Sequence, residues 1–475
     1  MTQTAEQSAA TKAATSGKSM ILQAGAGTGK TYWISQMAKA MPNRKGYYFA
    51  FNKAIVADAA TKLPSNMKAY TIHGYAFGRK GRFYSHRVNQ KYRIPASRTA
   101  DLLGISGIDM DNHSLSRTKC AQLVMRAVQE YSKSADWQIS GWHIPRINGI
   151  MPEEMKYIRD ELDPFVKAAW QDIANVNGEL NFSPLNYVKL WALDPRLSSI
   201  AADFTVFDEA QDVMACVIPV LQRRERQGKQ IILAGDQYQA INEWNGAEDS
   251  MGKFPEFQRL MLTQSFRFGQ EVADIANLWL DSMEADMTIT GTGNSEIGPI
   301  EFPDAILCRT NAGTIEAAIG ELARDKSVAL LGNTEQFLEI ADSALALQAN
   351  QPTDYYLFAA FNTWAEVQVF AKSDDPDADE IKTWVNLIDA YGAQEVKEMT
   401  SSLVSPENAD VTISTAHKTK GLQFRSVRVA GFPEPSDMPR PLTSADKMLA
   451  YVTVTRPERA LDPGNLASPD FHDMD

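Results

Sequence analysis

Residues 21–31 (ILQAGAGTGKT) constrain this chain more than any other stretch: an apolar run breaks into a glycine-rich turn that ends on Lys30 and Thr31. Glycines at 25, 27 and 29 let backbone amides converge on phosphate oxygens, and a helix opening at Lys30 turns its positive end toward the same point. In this pattern the lysine reaches the β- and γ-phosphates and the Thr31 hydroxyl holds Mg²⁺. Ala24 stands where the strict G-x-x-x-x-G-K-[ST] pattern has glycine, with Gly25 beside it keeping the turn flexible. Ala24, Gly25, Ala26, Gly27, Thr28, Gly29, Lys30 and Thr31 are therefore the candidate residues for holding a nucleotide such as ATP. Behind the loop, Trp33, Ile34, Met37 and Ala38 recur at helical spacing.

A chain of 475 residues exceeds one core, so several subdomains are expected. Hydrophobic content of 44% with 22% charged residues describes an ordinary soluble protein, and no apolar run approaches membrane-spanning length. Cys120, Cys216 and Cys308 lie far apart, which excludes a disulfide framework and a zinc spacing and points to a reducing, cytoplasmic setting. A net charge of −12 argues against a nucleic-acid partner only on average, because a bound strand responds to the local field. Basic runs at 79–93 and 223–229 admit two readings, a nucleic-acid track or a solvated charged face.

Taken in order, Thr4-x-x-Gln7 has the form of a helix capping box, while Gln7 also stands where it would meet an adenine edge ahead of the loop; both readings stand. Strands are predicted at 46–51 and 69–72, leading to Asn52 and His73, so strand and helix alternate in a doubly wound α/β cadence. Residues 78–190 break that cadence and read as an insertion. The run 203–212 (DFTVFDEAQD) is an apolar strand delivering Asp208, a candidate Mg²⁺ ligand, and Glu209, a candidate base for the attacking water. The next strand, 230–234, leads to Gln239, which could feel a γ-phosphate, and then to Trp244, a candidate for base stacking or for the core. Arg267 opens a second α/β pattern with strands at 305–308, 327–331, 411–415 and 426–430. Between them 333–403 reads as helical with an acidic linker at 374–379, and 462–475 reads as disordered.

The blocks AGAGTGKT, FAFNKA, YTIHGYA, VFDEAQD, GDQYQAINEWNGA, LTQSFRF, TISTAHKTKGLQF and YVTVTRPERAL, in this order, resemble the UvrD/Rep/PcrA branch of superfamily 1 helicases. The wording of LTQSFRFG, ILCRTNAG and YVKLWAL is closest to the F-box DNA helicase core and its phage or bacterial relatives. No F-box precedes these blocks, so an adaptor role is not expected. The resemblance implies an α/β protein with two RecA-like P-loop domains, each on a parallel sheet, and mainly helical inserted subdomains. The first domain is expected at 1–78 and 191–262 with an insertion at 79–190, and the second at 263–332 and 404–475 with a reduced insertion at 333–403.

It further implies ATP and Mg²⁺ in the cleft between the two domains, with single-stranded DNA or a single-strand/duplex junction across them. Arg267 and Arg456 would neutralise charge on the transferred phosphoryl group, Gln239 would sense the γ-phosphate, and Gln423 would meet the ribose. Phe51, Asn52, His73 and Trp244 would grip DNA on the first domain, and Thr415 and His417 on the second. Movement 3′→5′ and a bacterial or phage origin follow from the family alone, and the reduced second insertion suggests a monomer with weaker autoinhibition. Gln423 replaces the family's glutamate, Asn242 and Asn245 replace an aromatic and an arginine of the DNA track, and Pro457 replaces a small residue. The leading expectation is a DNA helicase; a translocase that strips proteins from DNA and an ATP-gated DNA-binding module are the alternatives.

Overall fold

The computed structural model describes residues 3–50, 52–90, 93–110, 113–147, 149–241, 249–332, 334–355, 357–359, 361–373, 378–433 and 441–469. Two compact units emerge: Met1–Gly25 with Gly29–Leu262, and Ala26–Thr28 with Thr263–Asp475.

The first unit contains β1 (Met20–Ala24), β2 (Gly46–Ala50), β3 (Met67–Thr71), a small ribbon of β4 (Ile108–Asp109) and β5 (Ser114–Leu115), then β6 (Phe204–Asp208), β7 (Gln230–Gly235) and β8 (Gln258–Leu262). Six of these strands form one sheet in the order β3-β2-β6-β7-β1-β8, with every pairing parallel. Parallel strands covered on both faces read as unbroken apolar runs, and β1, β2, β6 and β7 are buried throughout. Side chains alternate between the two faces. Met20, Leu22, Tyr48, Phe204, Val206 and Ile232 meet the helices Ala5–Thr15 and Lys30–Lys39, where Trp33, Ile34 and Met37 are fully buried. Each such side chain contributes roughly 2 kcal/mol through burial. Ile21, Tyr47, Phe49, Phe207, Ile231 and Leu233 face the opposite way, into a core shared with the helices that separate β3 from β6.

Those helices include Ile72–Arg79, Arg117–Lys133, Pro152–Ala174 and Pro184–Leu193. Buried Arg87 secures the end of Pro152–Ala174. It donates to the Asp172, Asn175 and Leu180 carbonyls at 3.0, 2.6 and 2.8 Å and to Asp172 Oδ1 at 3.0 Å. A cation on the carbonyls at a helix C-terminus answers the negative end of the helix dipole.

The second unit contains β9 (Gln264–Gly269), β10 (Thr290–Gly293), β11 (Glu296–Ile297), β12 (Ala305–Cys308), β13 (Val328–Leu330), β14 (Val411–Thr415), β15 (Phe424–Ala430) and β16 (Pro457–Asp462). Its main sheet is also parallel, in the order β11-β16-β15-β12-β14-β13, while β9 pairs with β10 alone. Between β13 and β14, the helices Thr334–Gln348, Trp364–Ala371, Ala378–Tyr391 and Ala393–Ser401 pack Phe337, Trp384 and Val396 against Ile306, Leu330 and Ile413.

The chain therefore has a P-loop type of parallel-sheet core with helical insertions. Two local expectations need correction, and one strand was not anticipated. Strand β3 ends at Thr71, whose side chain caps the helix beginning at Ile72, so that residue is helical. The edge strand β8 escapes sequence reading because exposed and half-buried residues make up most of it. Of the stretch 462–475, residues 462–469 are described and ordered: Gly464–Leu466 is a turn of 3₁₀ helix, Leu466 is buried, and its carbonyl accepts from Trp279 Nε1 at 3.0 Å, while 470–475 lie outside the described residues. The thiols Cys120, Cys216 and Cys308 are free and buried. Among the described residues, no helix is long and apolar enough to cross a membrane.

Candidate active site

The glycine loop leaves β1 at Ala24, and the Gly25 amide donates to the Leu262 carbonyl at 3.0 Å, tying the start of the turn to β8. Gly27 and Gly29 adopt φ of 75° and 76°, a left-handed backbone that a side chain would oppose. Gly29 is the N-cap of helix Lys30–Lys39 and, being glycine, brings no side chain of its own to cap the first turn. That arrangement suits an anion. Ala24, Ala26 and Thr28 are buried around the turn.

Lys30 Nζ lies 2.6 Å from Glu209 Oε1 and 3.0 Å from Asp208 Oδ1. Burial opposes its charge, but the two carboxylates outweigh burial and hold its pKa above the ordinary lysine range. Strand β6 delivers both acids at its C-terminal end. Glu209 sits at φ 53° and ψ 49°, a left-handed conformation uncommon outside glycine, which turns the chain sharply out of the strand.

Each acid uses its remaining oxygen differently. Asp208 Oδ2 accepts from the Tyr48 hydroxyl at 2.5 Å, while Oδ1 also accepts the Glu209 amide at 3.0 Å. Glu209 Oε2 accepts from Gln211 Nε2 at 2.6 Å. The Gln211 carbonyl oxygen, Oε1, accepts the Asp236 amide at 3.1 Å, and the Asp236 carboxylate accepts from Gln239 Nε2 at 2.7 Å and Gln23 Nε2 at 2.9 Å. A buried polar chain thus runs from Glu209 to Gln239, the residue expected to sense a γ-phosphate. Buried polar groups satisfied in this way fix one another's orientation.

The set Lys30, Asp208, Glu209 and Gln239 is thereby gathered at the C-terminal ends of β1, β6 and β7, with Thr31 in the first turn behind the loop. The Thr31 hydroxyl and Asp208 carboxylate are hard oxygen donors, which fits Mg²⁺, an ion that takes one or two carboxylates beside phosphate and water. Among the described residues, no cluster of three or more His, Cys, Asp or Glu side chains forms a separate metal cage. The cradle and its cation likewise fit a nucleoside triphosphate.

For Gln7 the capping geometry is the one observed. Its Oε1 accepts from the Thr4 amide at 3.3 Å, its own amide donates to Thr4 Oγ1 at 3.1 Å, and its carbonyl accepts from Trp33 Nε1 at 3.2 Å. Asn52 caps helix Lys53–Lys62, its Oδ1 accepting from the Ile55 amide at 2.8 Å. His73 packs edge-on to Tyr187, and burial holds its pKa below the usual histidine value. A cavity of about 80 Å³ is lined by His73 together with Asp208, Glu209 and Asp212, so this histidine and the acids share one recess. Phe51 and Trp244, with Asn242 and Asn245, lie outside the described residues, as does 374–377 of the acidic run.

In the second unit, the arginines expected to meet phosphate converge on Thr455. Arg267 donates to its carbonyl at 2.8 Å, and Arg456 donates to its hydroxyl at 3.1 Å. Arg456 is buried and also donates to the Val452 and Leu422 carbonyls at 2.7 and 3.2 Å. Gln423 follows Leu422 directly and is exposed. Thr415 ends β14 largely buried, and His417 sits in the following 3₁₀ turn with its pKa lowered by burial and by Arg309.

Sequence reading missed Tyr48, Gln211, Asp236 and Gln23. Gln211 and Asp236 stood inside the quoted motifs VFDEAQD and GDQYQA and could have been found there; Tyr48 sat in a strand that read only as aromatic.

A family model described as an AAA domain matches residues 7–245, half of the chain. F-box DNA helicase protein 1 of Schizosaccharomyces pombe is 28% identical over 453 residues, covering 87% of this chain and 51% of that protein. F-box DNA helicase 1 of Gallus gallus is 26% identical over 448 residues, covering 87% of this chain and 43% of that protein. The chain thus spans about half the length of these relatives. An AAA domain implies ATP, typically with Mg²⁺, and an ATP-hydrolysing enzyme.

Proposed function

We propose, from the premise that this chain belongs to the AAA domain family, that it is a DNA-dependent ATPase of the superfamily 1 type, a helicase or translocase moving 3′→5′ on single-stranded DNA. The observation that carries the reading is Lys30 held between Asp208 and Glu209 at the mouth of a glycine loop. Similarity over 87% of the chain to two proteins named as DNA helicases supports DNA as the polymer.

ATP bound with Mg²⁺ would supply the phosphoanhydride bond whose hydrolysis drives movement. Lys30 leaves its two carboxylates for the phosphates, which frees Glu209 to orient and deprotonate water. Thr31 and Asp208 would hold the cation, and Gln239 would report a γ-phosphate to Glu209 through Asp236 and Gln211. Arg267 and Arg456 are assigned charge neutralisation on the transferred group, and Gln423 the ribose. Asn52, His73, Thr415 and His417, with Phe51 and Trp244, are assigned to DNA. Two RecA-like domains at 1–78 with 191–262 and at 263–332 with 404–475, and insertions at 79–190 and 333–403, belong to the same proposal, as does a monomer in the UvrD/Rep/PcrA branch.

The test is phosphate release with and without single-stranded DNA or RNA, run beside displacement of 3′- and 5′-tailed duplexes. Strong stimulation by DNA, with 3′-tailed duplexes preferred, is expected; a rate indifferent to any polymer would refute a DNA-dependent motor.

A further inference from the structure

Tyr48 lies in the middle of β2 and is fully buried. In the parallel register Tyr48 faces Val206, and alternation along β6 puts Asp208 on the same side of the sheet as Val206. A diagonal neighbour two residues on lies within reach of a long aromatic side chain. The next same-face residue of β2 is Ala50, whose methyl leaves that diagonal path open. The phenol accordingly ends 2.5 Å from Asp208 Oδ2, on the opposite oxygen from the one facing Lys30 and the Glu209 amide. The Tyr48 hydroxyl is the donor in this contact, and the carboxylate oxygen accepts.

We propose that Tyr48 is a positioning residue: its hydroxyl fixes the rotation of the Asp208 carboxylate, so that Oδ1 is the oxygen offered to Mg²⁺ when Lys30 turns to phosphate. This rests on reading the loop as a Mg²⁺-ATP site. Outer partners that orient a ligating carboxylate typically set metal affinity by 10- to 100-fold. A role in packing alone would not, because phenylalanine keeps the ring.

The experiment uses the full chain with Tyr48→Phe, and Tyr48→Met as a second donor-free variant should the first fail to fold. Three quantities are measured: ATP binding in EDTA, Mn²⁺ binding to the ADP complex by electron paramagnetic resonance, and the Mg²⁺ dependence of hydrolysis. Expected are an unchanged metal-free ATP affinity, Mn²⁺ binding weakened about tenfold, and a matching rise in the Mg²⁺ needed for half-maximal rate, with kcat restored at saturating Mg²⁺. Unchanged Mn²⁺ and Mg²⁺ dependence in a folded variant overturns the role of Tyr48 alone. An equal loss of ATP binding in EDTA overturns it too, in favour of general damage to the loop. A parent chain that binds no nucleotide overturns the ATP-site reading itself and this inference with it.

Discussion

Around the glycine loop of the first unit opposite charges meet, whereas around Thr455 of the second unit two arginines donate to carbonyl and hydroxyl oxygens. Around the glycine loop a lysine touches two carboxylates, so the site without nucleotide already contains a charge partner that phosphate must replace. Around Thr455, Arg267 and Arg456 donate to backbone carbonyls and a hydroxyl. The difference teaches how each responds to an anion. Under the proposed ATP cycle, Lys30 would exchange one anion for another, while Arg456 would meet phosphate by redirecting hydrogen bonds it now makes to neutral oxygens. A guanidinium suits that task because its fixed fork has five donors and stays protonated.

Breaking the first arrangement should have the largest effect. Lys30→Ala removes the cation from two adjacent acids, and turnover should fall by about 10³-fold or more, measured as DNA-stimulated phosphate release. Arg456→Ala should lower hydrolysis to a comparable degree, about 10³-fold, while ATP binding persists. Unlike the lysine change, it also strips donors from the Val452 and Leu422 carbonyls, at a cost of roughly 3 kcal/mol in stability. Thermal melts check that cost, and ATP binding separates the two: retained binding in Arg456→Ala beside lost binding in Lys30→Ala would sharpen the contrast, and equal loss would erase it.

Glu209→Gln should slow hydrolysis about 10²-fold or more and accumulate an ATP complex that still holds DNA, read by filter binding and single-turnover assays. Turnover close to the parent rate would remove Glu209 from the role of base. The smallest effect is pH-dependent. His73 in the first unit and His417 in the second both have pKa values lowered from 6.5 by burial. The unfolded chain therefore binds more protons in the window just below 6.5, so the stability of the neutral rings is complete above that value and is lost as pH falls through the depressed folded pKa. Melts between about pH 8 and pH 5.5 should show less acid sensitivity in His73→Gln and His417→Gln than in the parent. Identical slopes would mean that neither ring is held neutral.

Much of the site was legible because it is written locally. The glycine loop, the cap at Thr4 and the strands 305–308 and 411–415 each follow from a few consecutive residues whose spacing matches a backbone period. The acid pair was legible too, since a strand ending in Asp208 and Glu209 offers both at one edge. Where burial pattern weakened, as in β8, or where order depended on a distant partner, as Leu466 on Trp279, local reading failed.

By itself the sequence determined which chemical groups this protein possesses and which strands carry them, because periodicity and turn chemistry act over a handful of residues. Only the tertiary structure decided which of those groups meet. Tyr48 reaches Asp208 across 160 positions, and Gln23 reaches Asp236 across 213, because β2 lies beside β6 and β7 beside β1. Strand order emerges when helices cover both faces of the sheet and the central strands β1, β2, β6 and β7 are buried together, a condition met by the whole unit and written in no single segment.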